Sequence, residues 1–380
     1  MNSERPALRQ SSMPARVITA VFAFGILGGG NAAMAGDVDV APPGRSIGYA
    51  FSEIIWGVYE TKDAKEECPQ GVVALGPREE YKLQFPDDGT KRKVVDTQMV
   101  READVWWPKA EPNQFPFREA GGKIGIGLDL DGKVKPTDFT SPEGRPGIDN
   151  QLFRAIGCVM NYRSPGSILN IEKTFFKNVA YDRLMIELTD VDSLVNDGDV
   201  TITTYRGLDT MPNDATGNNL QPGGTQRLDL IYGKSLIRKV KAKIVNGVLI
   251  SEHVDLSLPR AGSTTLEWMR DARFEVKLAP EKAEGIIGGY ADIESIYNAR
   301  NRRWPIHHLA YGQEAPGSVY RALRKLADGF PDPKTGEYTA ISAALTVKLV
   351  QVRVLHHEKE ISMGNAVTQF SDTRAAQPAK

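Results

Sequence analysis

Leu236-Ile237-Arg238-Lys239-Val240-Lys241-Ala242-Lys243-Ile244-Val245-Asn246-Gly247-Val248-Leu249-Ile250-Ser251 decides the fold class. Asn-Gly is the dipeptide that most readily supplies positive φ at both centres of a type I′ turn, and here it joins two strand-like runs, 236–245 and 248–258. The stretch is a β-hairpin. Upstream, residues 183–188 and 199–205 are β-rich runs joined by the acidic turn 190–198. Downstream, 272–278 and 284–290 form another pair: Arg273, Glu275 and Lys277 alternate with Phe274, Val276 and Leu278, so one face meets water and the other a core.

The same reading extends to both flanks. Residues 47–59 are rich in Ile, Val and aromatics and read as a first strand; 338–355 read as a last core strand. A helix is expected near the C-terminus, with Ser318 as cap, Val319, Ala322, Leu323 and Leu326 on one face, and Gly329 as the stop. Residues 90–102 can form a short helix, and 106–122 are punctuated by Pro108, Pro112 and Pro116. Many short strands, few helices and no βαβ alternation predict a mainly β chain: an antiparallel β-sandwich or jelly-roll-like body with one or two peripheral helices.

Arg5, Arg9 and Arg16 precede an apolar stretch from Val17 to Leu27, and Ala33-Met34-Ala35 offers small residues where a signal peptidase cuts. Residues 1–35 therefore read as a Sec-type signal peptide, 36–46 as a linker, 47–363 as one β-rich domain with 47–122 as an optional subdomain, and 364–380 as a disordered tail. The expected localisation is the periplasm or outside the cell. The chain of 380 residues carries 47 basic and 48 acidic side chains, a balance that argues against nucleic acid as a partner. No segment after the signal is apolar for long enough to span a bilayer.

Two cysteines remain, Cys68 and Cys158. In an exported protein an even pair predicts a disulfide, here closing a loop of roughly 90 residues for roughly 4 to 5 kcal/mol in the chain-entropy model. Two buried thiols that never meet are the rival reading. Neither cysteine sits in a C-x-x-C pattern, so redox catalysis lacks its local chemistry.

The densest polar constellation is Gly127-Leu128-Asp129-Leu130-Asp131-Gly132-Lys133-Val134-Lys135-Pro136-Thr137-Asp138. Against a calcium loop, Asp129, Asp131 and Asp138 fall on ligand positions, but Gly127 stands where the first carboxylate belongs. Glu143 and Asp149 can complete a site by folding back. The competing reading is a set of turns whose side chains bond their own backbone, and no cofactor is expected unless calcium binds weakly. Asp190, Asp192, Asn196, Asp197 and Asp199 offer oxygens that suit a hard cation, but the same residues build a solvated inter-strand turn, which is the favoured reading. His307-His308 and His356-His357-Glu358 can each give at most one zinc ligand if they lie on strands.

Three catalytic patterns fail on context. Gly44-Arg45-Ser46-Ile47-Gly48 matches G-x-S-x-G but opens a strand, whereas a nucleophile elbow needs strand, turn, then helix. Gly233-Lys234-Ser235 ends like a phosphate loop, yet Leu228 replaces its first glycine. Gly285, Gly288 and Gly289 lack dinucleotide-loop spacing and read as points of close approach. Trp106, Trp107, Phe115 and Phe117 offer rings that can stack on a sugar or plug the core.

Four stretches resemble an uncharacterised family of exported bacterial β-rich proteins. They are Glu67-Cys68-Pro69 with Gly71; Pro142-Glu143-Gly144 through Gly147-Ile148-Asp149-Asn150-Gln151 to Gly157-Cys158; Gly288-Gly289-Tyr290 with Asp292; and Ala327-Asp328-Gly329 through Asp332-Pro333-Lys334-Thr335-Gly336 to Ile341-Ser342-Ala343. The resemblance implies export and a shared β-rich fold, and it fits a structural role for both cysteines. No activity carries over from it. The functional expectation is thus a non-catalytic binding or accessory module for an unknown periplasmic ligand or protein. The alternative is a glycan or ester hydrolase using two of Asp129, Asp131, Asp138, Glu143 and Asp149.

Overall fold

The computed structural model describes residues 41–73, 100–102, 105–107, 118–178, 183–230, 234, 236–259, 266–301 and 316–356. The signal-peptide and tail readings, and the pair His307-His308, lie outside them. In chain order the strands are β1 (Ser46–Trp56), β2 (Val100–Glu102), β3 (Val105–Trp107), β4 (Arg183–Thr189), β5 (Asp197–Gly207), β6 (Gly224–Arg227), β7 (Arg238–Val245), β8 (Val248–Ser251), β9 (Val254–Pro259), β10 (Leu266–Leu278), β11 (Lys282–Asp292), β12 (Gly329–Pro331) and β13 (Tyr338–Leu355). The helices are α1 (Gln151–Ile156), α2 (Ser167–Asn178), α3 (Ile293–Asn301) and α4 (Pro316–Leu326).

The chain is mainly β, with its helices in the minority. The sheet closes into an eight-stranded barrel instead of dividing into the two faces of a sandwich or jelly roll. The ring runs β1-β4-β5-β7-β8-β10-β11-β13, and β13 returns to pair with β1. Every pair in the ring is antiparallel, so the strands form a meander. Closure leaves no free edge on the ring, which is its physical advantage over an open sheet.

The Asn246-Gly247 hairpin forms as predicted: Val245 pairs with Val248, and both turn residues have positive φ, 51° and 78°. The pair 272–278 and 284–290 also forms, in β10 and β11. Gly285 is a close-approach glycine, because a Cβ there would lie 2.6 Å from the Val276 Cα. The turn 190–198 joins β4 to β5 as expected: Asp197 accepts from the Asp192 and Asp199 amides, and Asp192 pairs with Arg45. Residues 100–107 differ from expectation, since β2 and β3 form a small hairpin where a helix end was predicted. The C-terminal helix begins at Pro316, two residues before the expected Ser318 cap, because proline fits the first helical turn.

The barrel interior is filled. Phe51, Ile186, Ile202, Phe274, Val276, Ile287 and Leu345 are among the apolar side chains of one cluster that also takes in residues of α1 and α3. Alternation along β1 breaks at a bulge between Phe51 and Glu53. Phe51 and Ile54 both enter the interior, so Ser52 and Glu53 are turned to the outer wall. A second apolar cluster, with Met185, Met211, Leu220 and Val352, covers part of that wall beneath the loop 208–223.

Candidate functional site

Residues 120–150 pack on the outside of β11 and β13. Two glycines permit this approach: a Cβ on Gly288 would sit 3.0 Å from the Leu128 Cβ, and one on Gly127 would sit 2.8 Å from Ile148 Cγ2. The residue that denies a calcium loop its first ligand is therefore a packing glycine. The Asp149-Asn150-Gln151 stretch fastens the segment. Asp149 accepts from the Leu130 amide at 2.8 Å. Asn150 caps α1 by accepting from the Phe153 amide and donates to the carbonyls of Gly57 and Ile126. The Gln151 amide donates to the Ser342 hydroxyl, which donates in turn to Asp328 Oδ2 at 2.6 Å.

Asp129, Asp131 and Asp149 come together, each offering a carboxylate oxygen within 4.8 Å of the others. Their environment is already furnished. Asp129 accepts from the Gly132 amide at 2.7 Å and Asp131 from the Lys133 amide at 3.0 Å. The Lys135 ammonium pairs with Asp131 and lies 3.9 Å from Asp149. That ammonium offsets part of the cluster's negative charge from within the same loop, standing against Asp131 and close to Asp149. Asp138 accepts from the Lys135 amide and so fixes this turn. Glu143 is exposed in the turn formed by Ser141 and Gly144. Of the five acidic residues singled out in the sequence, three are assembled, one shapes the loop and one points elsewhere.

Burial pushes the Asp149 carboxyl up to about 6, helped by the negative charges of Asp138 and Asp131 and opposed by the Leu130 amide. Burial likewise raises Asp328, against two hydrogen bonds from Ser342. Asp131 is held low by Lys135. Tyr290 stands beside these groups and is pushed up to about 12, first by burial and then by Asp149 and Asp328. A carboxyl near 6 has the proton affinity of a general acid, yet Asp149 is 2% exposed, so a substrate does not reach it.

What does reach solvent is the adjoining corner. Phe330, in β12, is 39% exposed with a φ of 55°, a conformation that bulky residues rarely adopt. The Arg270 guanidinium lies 5.2 Å from its ring centre, and Tyr290 meets it edge-on at 5.6 Å. Arg270 is paired in turn with Asp292 at 2.5 Å. Trp268, 53% exposed, lies two residues before Arg270 on the same face of β10, and Tyr338, also exposed, opens β13 opposite Pro331. Phe330 carries no signal in the sequence beyond its place within the Ala327-to-Gly336 motif.

Ser46 donates to Glu187, and His356 Nε2 lies 2.9 Å from the same carboxylate. Serine and histidine thus share a carboxylate rather than meeting each other, which is not the order of a nucleophilic relay. His357 and Glu358 lie outside the described residues, as do Gly233, Ser235, Phe115 and Phe117. Trp106 and Trp107 belong to β3. Cys68 and Cys158 form the expected disulfide, with Cα atoms 5.6 Å apart. No protein-family model, curated protein or solved structure matches the chain.

Proposed function

We propose that the protein is an exported, non-catalytic binding module that presents a glycan-contacting corner on a rigid barrel. The observation that carries this reading is Phe330, held exposed in a left-handed backbone conformation between Arg270 and Tyr290. Backbone strain of this kind persists where surrounding structure enforces it, and it concentrates at sites of recognition. An aromatic ring receives the C–H face of a sugar, and the neighbouring Arg270–Asp292 pair has donors and acceptors for its hydroxyls. The filled barrel interior supports a surface contact over a ligand held in the lumen. Export rests on the N-terminal sequence pattern, and the disulfide fits an oxidising compartment.

The hydrolase reading takes support from the raised Asp149 carboxyl, but the burial of Asp149 and its engagement with Leu130 and Lys135 weigh against it. Affinity electrophoresis through gels containing soluble polysaccharides tests the binding reading. At least one polysaccharide is expected to retard the protein, with the retardation lost in Phe330→Ala. Equal migration of wild type and variant in every gel would reject it.

A further inference from the structure

We propose a second binding site, for a small zwitterion of amino-acid type, in the cleft at the β1 bulge. The cleft has a volume of about 380 Å³, within the range of small-molecule sites. Its floor is apolar, with Leu220, Pro222 and Val350. One wall is the loop 208–223, stiffened by Asp214, whose carboxylate accepts from Thr216, Asn218 and Asn219.

The charges lining this floor are ordered. The bulge turns Glu53 outward, where it is 7% exposed and pairs with Lys348 at 3.2 Å. Lys348 also stands opposite Glu284 in the register of β11 and β13. Glu53, Lys348 and Glu284 therefore form a row across three neighbouring strands. Lys282 and Lys177 line the same cleft, and Glu281 brings the acidic side chains level with the basic ones. A cleft of balanced charge gives little attraction to a simple ion but complements a molecule carrying both signs. In this arrangement the ligand ammonium takes the place of the Lys348 ammonium between Glu53 and Glu284, the carboxylate meets Lys282 and Lys177, and an aliphatic side chain covers the floor. Lys348 is free to yield, since 59% of its side chain is exposed, whereas Glu53 is fixed at 9%.

This site is separate from the Phe330 corner, and its test is independent of the glycan reading. Isothermal titration of the full chain with L-leucine and with glycyl-L-leucine should give a saturable isotherm for at least one. N-acetyl-L-leucine amide, which carries neither charge, should bind at least about tenfold more weakly. Glu53→Gln should weaken binding by about tenfold or more, and so should Lys282→Glu, an exposed charge reversal that leaves the fold intact. Phe330→Ala should leave the isotherm unchanged. The proposal falls if neither zwitterion binds up to about 10 mM, if the uncharged amide binds equally well, or if Lys282→Glu has no effect.

Discussion

Glu67 and Arg163, 96 residues apart in the chain, form a buried ion pair against the Cys68–Cys158 disulfide. Glu67 also accepts from the amide and hydroxyl of Thr61, and Arg163 donates to the Gly157 carbonyl at 2.7 Å. The pair thereby ties the segment after β1 to the turn after α1. Burial acts to raise the Glu67 carboxyl, but the bonds from Thr61 and Arg163 outweigh it and bring it down to about 2.

Glu67→Gln should destabilise the protein by about 3 to 5 kcal/mol in urea unfolding at neutral pH, because it leaves the Arg163 charge buried without its partner. The wild-type contribution is present above the ordinary carboxylate range and lost as pH falls from 4.5 towards about 2. The variant should lack that acid-sensitive step. A loss below about 1 kcal/mol would show that the pair is solvated.

Asp149 has the opposite sign. With its carboxyl raised from 3.8 to about 6, the folded state holds a proton that the unfolded state has released, so stability declines as pH rises through that window. Asp149→Asn keeps an acceptor for the Leu130 amide and removes the decline. Unfolding curves across this range should converge at acid pH and separate above about pH 6 by at most about 3 kcal/mol in the variant's favour. Parallel profiles would place the titration on another group.

Millimolar calcium should leave the melting temperature of the wild type unchanged, since the Lys135 ammonium already pairs with Asp131 and stands beside Asp149, where a cation would have to enter. Lys135→Gln should create a calcium response that chelator reverses, of the weak affinity typical of extracellular sites, on the order of 10⁻⁴ to 10⁻³ M. A wild-type shift that Asp131→Ala abolishes would make calcium a resident cofactor.

Replacing both Cys68 and Cys158 by alanine should cost about 2 to 5 kcal/mol. Mass spectrometry of non-reduced digests should recover the two cysteine peptides linked. Two free thiols in protein purified from an oxidising compartment would contradict the pairing.

The legible parts of the sequence were the local ones. Asn246-Gly247 specifies its hairpin within a few residues, and the alternation of Phe274, Val276 and Leu278 specifies which face is buried. Closure was hidden because it depends on β1 finding β13, and nothing in residues 46–56 names a partner 296 positions away, the separation of the Ser52–Lys348 bond. Helix α1 escaped because six residues are too few for a periodic pattern, although its Asn150 cap was in plain view. At the acidic cluster, composition marked Asp129, Asp131 and Asp149, but the placement of the Lys135 ammonium against Asp131 and near Asp149 is a property of the folded loop. Phe330 carries no sequence signal for positive φ, since glycine and asparagine are the residues that announce it.

The seam between β1 and β13 also orders events in time. Adjacent hairpins of the meander can form as soon as both of their strands exist, but β1 has one of its two barrel neighbours near the far end of the described chain. Closing so large a loop carries a high entropic cost before any contact rewards it, and such non-local pairing is slow. A chain whose β13 has not yet been made therefore cannot complete the ring. Until β13 arrives, β1 and β11 expose unpaired edges, and the barrel behaves as a latch that only β13 can fasten.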